Sequence, residues 1–168
     1  MIITSCSQDT AGLIEESSSQ HRESTPSHDM TESTISDYIL TVDGLVETPL
    51  ELTYESLLNY PMVTKKVWLV CPGIFEEERE WTGVPVSTLL AEAGLKPQAS
   101  KVIFHASLDE YTIELPLIVA QQDGVFVAYK VDNEELSFDD GYPIRLVVEP
   151  REGFYWVKWL DHIEVSND

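Results

Sequence analysis

At 168 residues with 43% apolar side chains, the chain is long enough for one domain with a core, plus an appendage. Asp and Glu number 30 against 10 Lys and Arg, a formal net charge of −20 that repels nucleic acid and anionic membrane surfaces and disfavours them as partners. Cys6 and Cys71 alone cannot build a four-thiolate zinc or iron–sulfur site, and no apolar run approaches the ~18 residues that a membrane-spanning helix needs.

Residues 1–36 are rich in Ser, Thr, Glu, Gln and His and lack strand or helix periodicity beyond Ala11–Ile14, so they read as a disordered polar tail or tether. Ile3-Thr4-Ser5-Cys6 resembles a bacterial lipoprotein cleavage box, though without a basic segment and most of an apolar segment before it. Two readings stand: an extracytoplasmic protein, periplasmic or lipid-anchored through Cys6, or a plain tail on a cytoplasmic one.

The folded domain is expected over 37–168. Tyr38–Val42 alternates like a strand and ends in Asp43-Gly44, a hairpin-turn dipeptide, with Leu45–Val46 and Leu50–Leu52 as short return strands. Thr53 can cap a helix over Tyr54–Leu58, which stops before Pro61. Val63–Cys71 reads as a strand with Val63, Val67, Leu69 and Cys71 on one parity. A loop holding Pro72-Gly73 and Glu76, Glu77, Glu78, Arg79 and Glu80 follows. That acidic run is either a solvated loop or a cation site. Pro85 then opens a helix that Gly94 closes.

The second half is mostly strand. Val102–His105 and Tyr111–Leu115 flank a turn at Asp109-Glu110, and residues 116–121 form a helical turn. Val125–Tyr129 is apolar throughout, the mark of a strand buried on both faces. A polar loop over Asp132–Asp140 precedes the core strand Ile144–Val148, and Phe154–Leu160 and His162–Val165 complete the set, with Trp156 and Trp159 as core or pocket wall. Many short strands in mixed sheets with a few short helices make an α+β domain. No Ser–His–Asp signature, phosphate loop or HExxH motif occurs.

Cys71 stands at the end of its strand, facing a loop. Alone, such a cysteine is more often an inert packed thiol than a ligand held rigidly by the sheet.

Three blocks in order carry a resemblance. They are Cys71 followed by Trp81-Thr82-Gly83-Val84-Pro85; Gly141-Tyr142-Pro143-Ile144-Arg145-Leu146-Val147-Val148; and Gly153-Phe154 followed by Val157-Lys158-Trp159. Together, over about residues 38–166, they resemble the molybdopterin-binding domain of the sulfite oxidase family, in its compact bacterial form. The resemblance implies a sulfite oxidase-type fold and an oxidoreductase of oxygen-atom transfer type. It also implies a Mo-molybdopterin cofactor with Cys71 as the protein's ligand to molybdenum, a small-molecule substrate, and a redox partner protein that relays electrons. Arg145 and Lys158 would supply charge to the anionic cofactor, glycines 141 and 153 would allow close approach, and Phe154 would sit with them. His105 and Ser107, with Asp109, fall where family members contact the cofactor. His105 on an apolar strand also reads as an ordinary core histidine.

The chain departs from the family in its polar tail, where further cofactor residues usually lie, and in Trp159, where compact members have Ser. Its acidic loop stands where sulfite-handling members have guanidinium groups, which disfavours sulfite as substrate. The other class open to the chain is a cofactor-free binding or scaffolding module that keeps the fold.

Overall fold

The computed structural model describes residues 35–108, 110–149 and 151–167. The polar tail up to residue 34, with Cys6 and the lipoprotein-like box, lies outside the described residues, as does Asp109.

Ten strands run in chain order among the described residues. They are β1 Ile39–Gly44, β2 Leu50–Thr53, β3 Val63–Cys71, β4 Phe75–Pro85, β5 Lys101–Ala106, β6 Thr112–Pro116, β7 Val125–Val131, β8 Glu134–Glu135, β9 Arg145–Val148 and β10 Leu160–Ser166. Short helices interrupt them at α1 Tyr54–Leu57, α2 Val86–Ala93 and α3 Leu117–Ala120, with a 3-10 turn at Gly153–Tyr155. One sheet has the order β2-β1-β10-β5-β6, with β1 and β10 parallel and the other pairs antiparallel. The second sheet runs β3-β4-β7-β8, and β9 also pairs with β7. These are the short strands in mixed sheets that the pattern predicts.

Local chemistry explains several of these elements. Thr53 caps α1, its Oγ1 accepting the Ser56 N–H at 3.1 Å. In α2, Val86, Leu89, Leu90 and Ala93 recur at helical spacing and are all buried. Gly94 ends it at φ 71, where a side chain would be strained. Every residue of β7 except Lys130 is buried, so this strand forms the centre of the core as the apolar run predicts.

Four expectations are corrected. Asp43 and Gly44 do not turn; they stay in β1, paired with Glu164 and Val165 of β10, and the chain reverses over residues 45–49. Leu45–Val46 is accordingly no return strand, and Val46 makes only an isolated bridge to Leu95. Most of the acidic loop is strand: β4 pairs residue by residue with β3 from Phe75 to Gly83. The reversal is confined to Pro72-Gly73-Ile74, with Ile74 N–H donating to Cys71 O at 2.9 Å and Gly73 at φ 76. Phe154–Leu160 is not a strand; the 3-10 turn and irregular chain occupy it until β10 begins.

Candidate functional site

The β3–β4 hairpin builds one wall of the site. Its register sets Cys71 opposite Phe75, Leu69 opposite Glu77, Val67 opposite Arg79 and Lys65 opposite Trp81. Side chains alternate along a strand and directly opposed residues share a face, so all of these project to one side. Glu76, Glu78 and Glu80, opposite Val70, Trp68 and Lys66, project to the other. Of the acidic run, only Glu77 and Arg79 therefore line the pocket on that side, a cavity of about 440 Å³ that also takes in Cys71, Arg145, Lys158 and Trp159.

Cys71 is a free, partly buried thiol. The Gly153–Tyr155 turn lies directly on it. A Cβ added at Gly153 would stand 2.9 Å from Cys71 Sγ and 2.9 Å from Leu69 Cδ1, so only glycine lets the backbone come this close. Phe154 stands half-exposed at the mouth, its carbonyl accepting a hydrogen bond from the Tyr111 hydroxyl.

Arg145 opens β9 and is 2% exposed. Its guanidinium lies 5.0 Å from the Trp81 ring and 5.4 Å from the Trp156 ring, and those two rings meet edge-to-face at 5.7 Å. Nη1 donates to Asp140 O at 3.0 Å and Nη2 reaches Trp156 O at 3.5 Å, while Nε is buried without a partner. Burial pushes this guanidinium down to about 10, against the pull of Asp140 and Cys71. Gly141, at φ 101, packs against Lys158, where a Cβ would come 2.9 Å from the Lys158 Cα. The Lys158 ammonium lies 5.9 Å from the ring centroid of Trp159, whose Nε1 donates to Phe138 O at 3.1 Å.

Sequence reasoning passed over Arg79 and its partners. Arg79 Nε donates to Asp132 Oδ2 at 2.8 Å and Nη1 to Asp140 Oδ1 at 3.0 Å. Burial works against its charge, but these carboxylates raise it above the ordinary value. Asp132 is held below the usual carboxylate range by the Glu80 N–H and by Arg79. Reading 75–85 as a strand would have revealed the arrangement, because parity then sets Arg79 on the face of Cys71.

The structure brings together Cys71, Arg145, Lys158, Gly153 and Phe154. It does not bring His105 or Ser107 to the same lining. The core side of β5 is taken by Val102 and Phe104, so His105 projects from the opposite face. There it stacks on His162 at 4.7 Å and pairs with Glu164 at 3.2 Å. Ser107 Oγ donates to Trp159 O at 3.0 Å and borders a separate, smaller pocket with Tyr38, Tyr142 and Pro143. Among the described residues no cluster of three or more His, Cys, Asp and Glu is placed to hold a metal ion. Among the described residues no helix is long and apolar enough to cross a membrane.

The family model described as "oxidoreductase molybdopterin binding domain" matches residues 25–168. A nitrate reductase [NADPH] of Beauveria bassiana is 29% identical over 159 residues, covering 79% of this chain and 18% of that protein. The uncharacterized oxidoreductase YuiH of Bacillus subtilis is 30% identical over 132 residues, covering 77% of this chain and 65% of that one. Among solved structures, the sulfane dehydrogenase SoxCD from Paracoccus pantotrophus superposes with a TM-score of 0.74 at 32% identity, covering 79% of this chain and 39% of that chain. The chain therefore spans less than a fifth of the length of the Beauveria bassiana nitrate reductase.

Proposed function

The chain belongs to the oxidoreductase molybdopterin-binding domain family and has the sulfite oxidase-type fold, and from that premise we propose that it holds a molybdenum pterin at Cys71 and acts on a small-molecule substrate. One observation carries the reading: Arg145 is buried beside the pocket thiol with its Nε unpartnered. A buried guanidinium with an unpartnered N–H is costly, and an anionic group in the pocket is what would offset it. The residues present therefore fit a phosphorylated pterin.

In this reading Cys71 supplies a thiolate to the metal, Arg145 and Lys158 hold the anionic part of the cofactor, and Gly153 keeps the covering backbone against the sulfur. Trp81 and Trp156 both pack against the Arg145 guanidinium and keep water from it. Phe75, Tyr111 and Phe154 form an apolar rim where a substrate would enter. When bound, the cofactor supplies two-electron chemistry of the oxygen-atom transfer type. Electrons are exchanged with a separate redox partner protein.

The test is molybdenum and pterin analysis of the full chain purified from a host that makes molybdopterin. Both should co-purify in equal amounts. Their absence would overturn the reading and leave the cofactor-free binding or scaffolding module.

A further inference from the structure

Among the described residues, three cationic side chains line the pocket: Arg79, Arg145 and Lys158. On the reading above, on which this inference rests, Arg145 and Lys158 are engaged by the cofactor. Arg79 is then the cation left to meet a substrate, and two of its N–H donors already hold carboxylates. Nε and Nη1 each hold a different carboxylate, Asp132 at 2.8 Å and Asp140 at 3.0 Å, so the group carries a net negative charge. Recognition of an oxyanion by arginine rests on its positive charge and paired N–H donors; here two carboxylates outweigh the charge and occupy the Nε and one Nη1 donor.

Glu77 reinforces the effect. It stands between Arg79 and the Cys71–Phe75 pair on the pocket face of the hairpin, opposite Leu69. Asp139 is a further carboxylate in the lining. An anion brought near Cys71 would shed water beside unneutralised carboxylates, whereas an uncharged molecule would not pay that cost. The mouth is also apolar, with Phe75 44%, Tyr111 40% and Phe154 53% exposed.

We infer that this site selects an uncharged or cationic organic substrate with an apolar arm and rejects oxyanions. Glu77 and the carboxylate-bound Arg79 are the selecting groups. The sequence already disfavours sulfite through its acidic run; the structure reassigns that effect to one glutamate and two aspartates, since Glu76, Glu78 and Glu80 face away.

The experiment uses the full chain loaded with cofactor, oxidised and without reductant, so that binding is read free of turnover. Nitrate, sulfate and the uncharged methyl phenyl sulfoxide are titrated at low ionic strength, following the absorption of the metal–thiolate chromophore. The wild type should bind the sulfoxide at least about tenfold more tightly than either anion. In Glu77→Gln combined with Asp132→Asn, anion binding should tighten about tenfold while sulfoxide binding stays within about twofold. Loaded wild-type protein that binds nitrate as tightly as the sulfoxide would overturn the selectivity, as would a double variant with unchanged anion affinity. Wild-type protein that carries no molybdenum would instead overturn the functional reading beneath it. Metal content on the same samples separates the two failures.

Discussion

Arg145→Met should affect the empty and the loaded protein in opposite directions. Burial lowers the guanidinium from 12.5 to about 10. At about 1.4 kcal/mol per pH unit, this is a penalty of roughly 3 kcal/mol on the charged side chain in the fold. Because the folded value lies below the unfolded one, the penalty is present in full at all pH below about 10 and is relieved only as pH rises past it. Against the relief stand the contacts with the Trp81 and Trp156 rings and the Nη1 hydrogen bond to Asp140 O, roughly 2–3 kcal/mol together, which Met replaces in part by packing. The cofactor-free protein should therefore gain up to about 1 kcal/mol on substitution, evenly between roughly pH 5 and pH 9. The same change should sharply reduce molybdenum retention in protein from a competent host, because the buried counter-charge is gone. The assays are urea unfolding of cofactor-free protein and metal analysis of the loaded form. A loss of stability in the empty protein would refute the reasoning and make Arg145 a structural residue.

Gly153→Ala puts a Cβ 2.9 Å from Cys71 Sγ and from Leu69 Cδ1; it should cost roughly 1–3 kcal/mol in urea unfolding and reduce molybdenum content by displacing the sulfur. Lys158→Glu should lower cofactor retention while leaving the unfolding midpoint of the cofactor-free protein nearly unchanged; equal pterin content in variant and wild type would remove Lys158 from the site. Asp132, held low by the Glu80 N–H and by Arg79, contributes stability that is full above about pH 4 and is lost on acidification below it. Asp132→Asn should flatten the acid limb of a stability-against-pH curve there, and an unaltered limb would show that this ion pair contributes nothing to folding.

Much of the fold was legible because pattern and burial agree. β3 matches its predicted bounds, Thr53 caps its helix through its own hydroxyl, and β7 is apolar because both its faces are covered. β4 was misread because consecutive glutamates have low strand preference and no alternating burial marks them. Residues Phe75–Glu78 are exposed on both faces, and pairing with β3 is what holds them extended. Asp43-Gly44 was misread for the opposite reason: a strong local turn signal gave way to parallel pairing with β10, a contact distant in sequence. In the site, Cys71, Arg145, Lys158 and Gly153 followed from ordered motifs. Arg79 did not, because its partners Asp132 and Asp140 lie far along the chain. His105 was drawn to the site by its position in the sequence, whereas strand parity turns it to the outer face.

Molybdenum K-edge X-ray absorption of the wild type and of Cys71→Ser, both purified from a molybdopterin-competent host, tests the central claim most directly. If the Cys71 thiolate holds the metal, the wild type has one more sulfur neighbour around molybdenum than the variant, or the variant loses the metal outright. The same sulfur count in both, at equal metal content, would contradict the account.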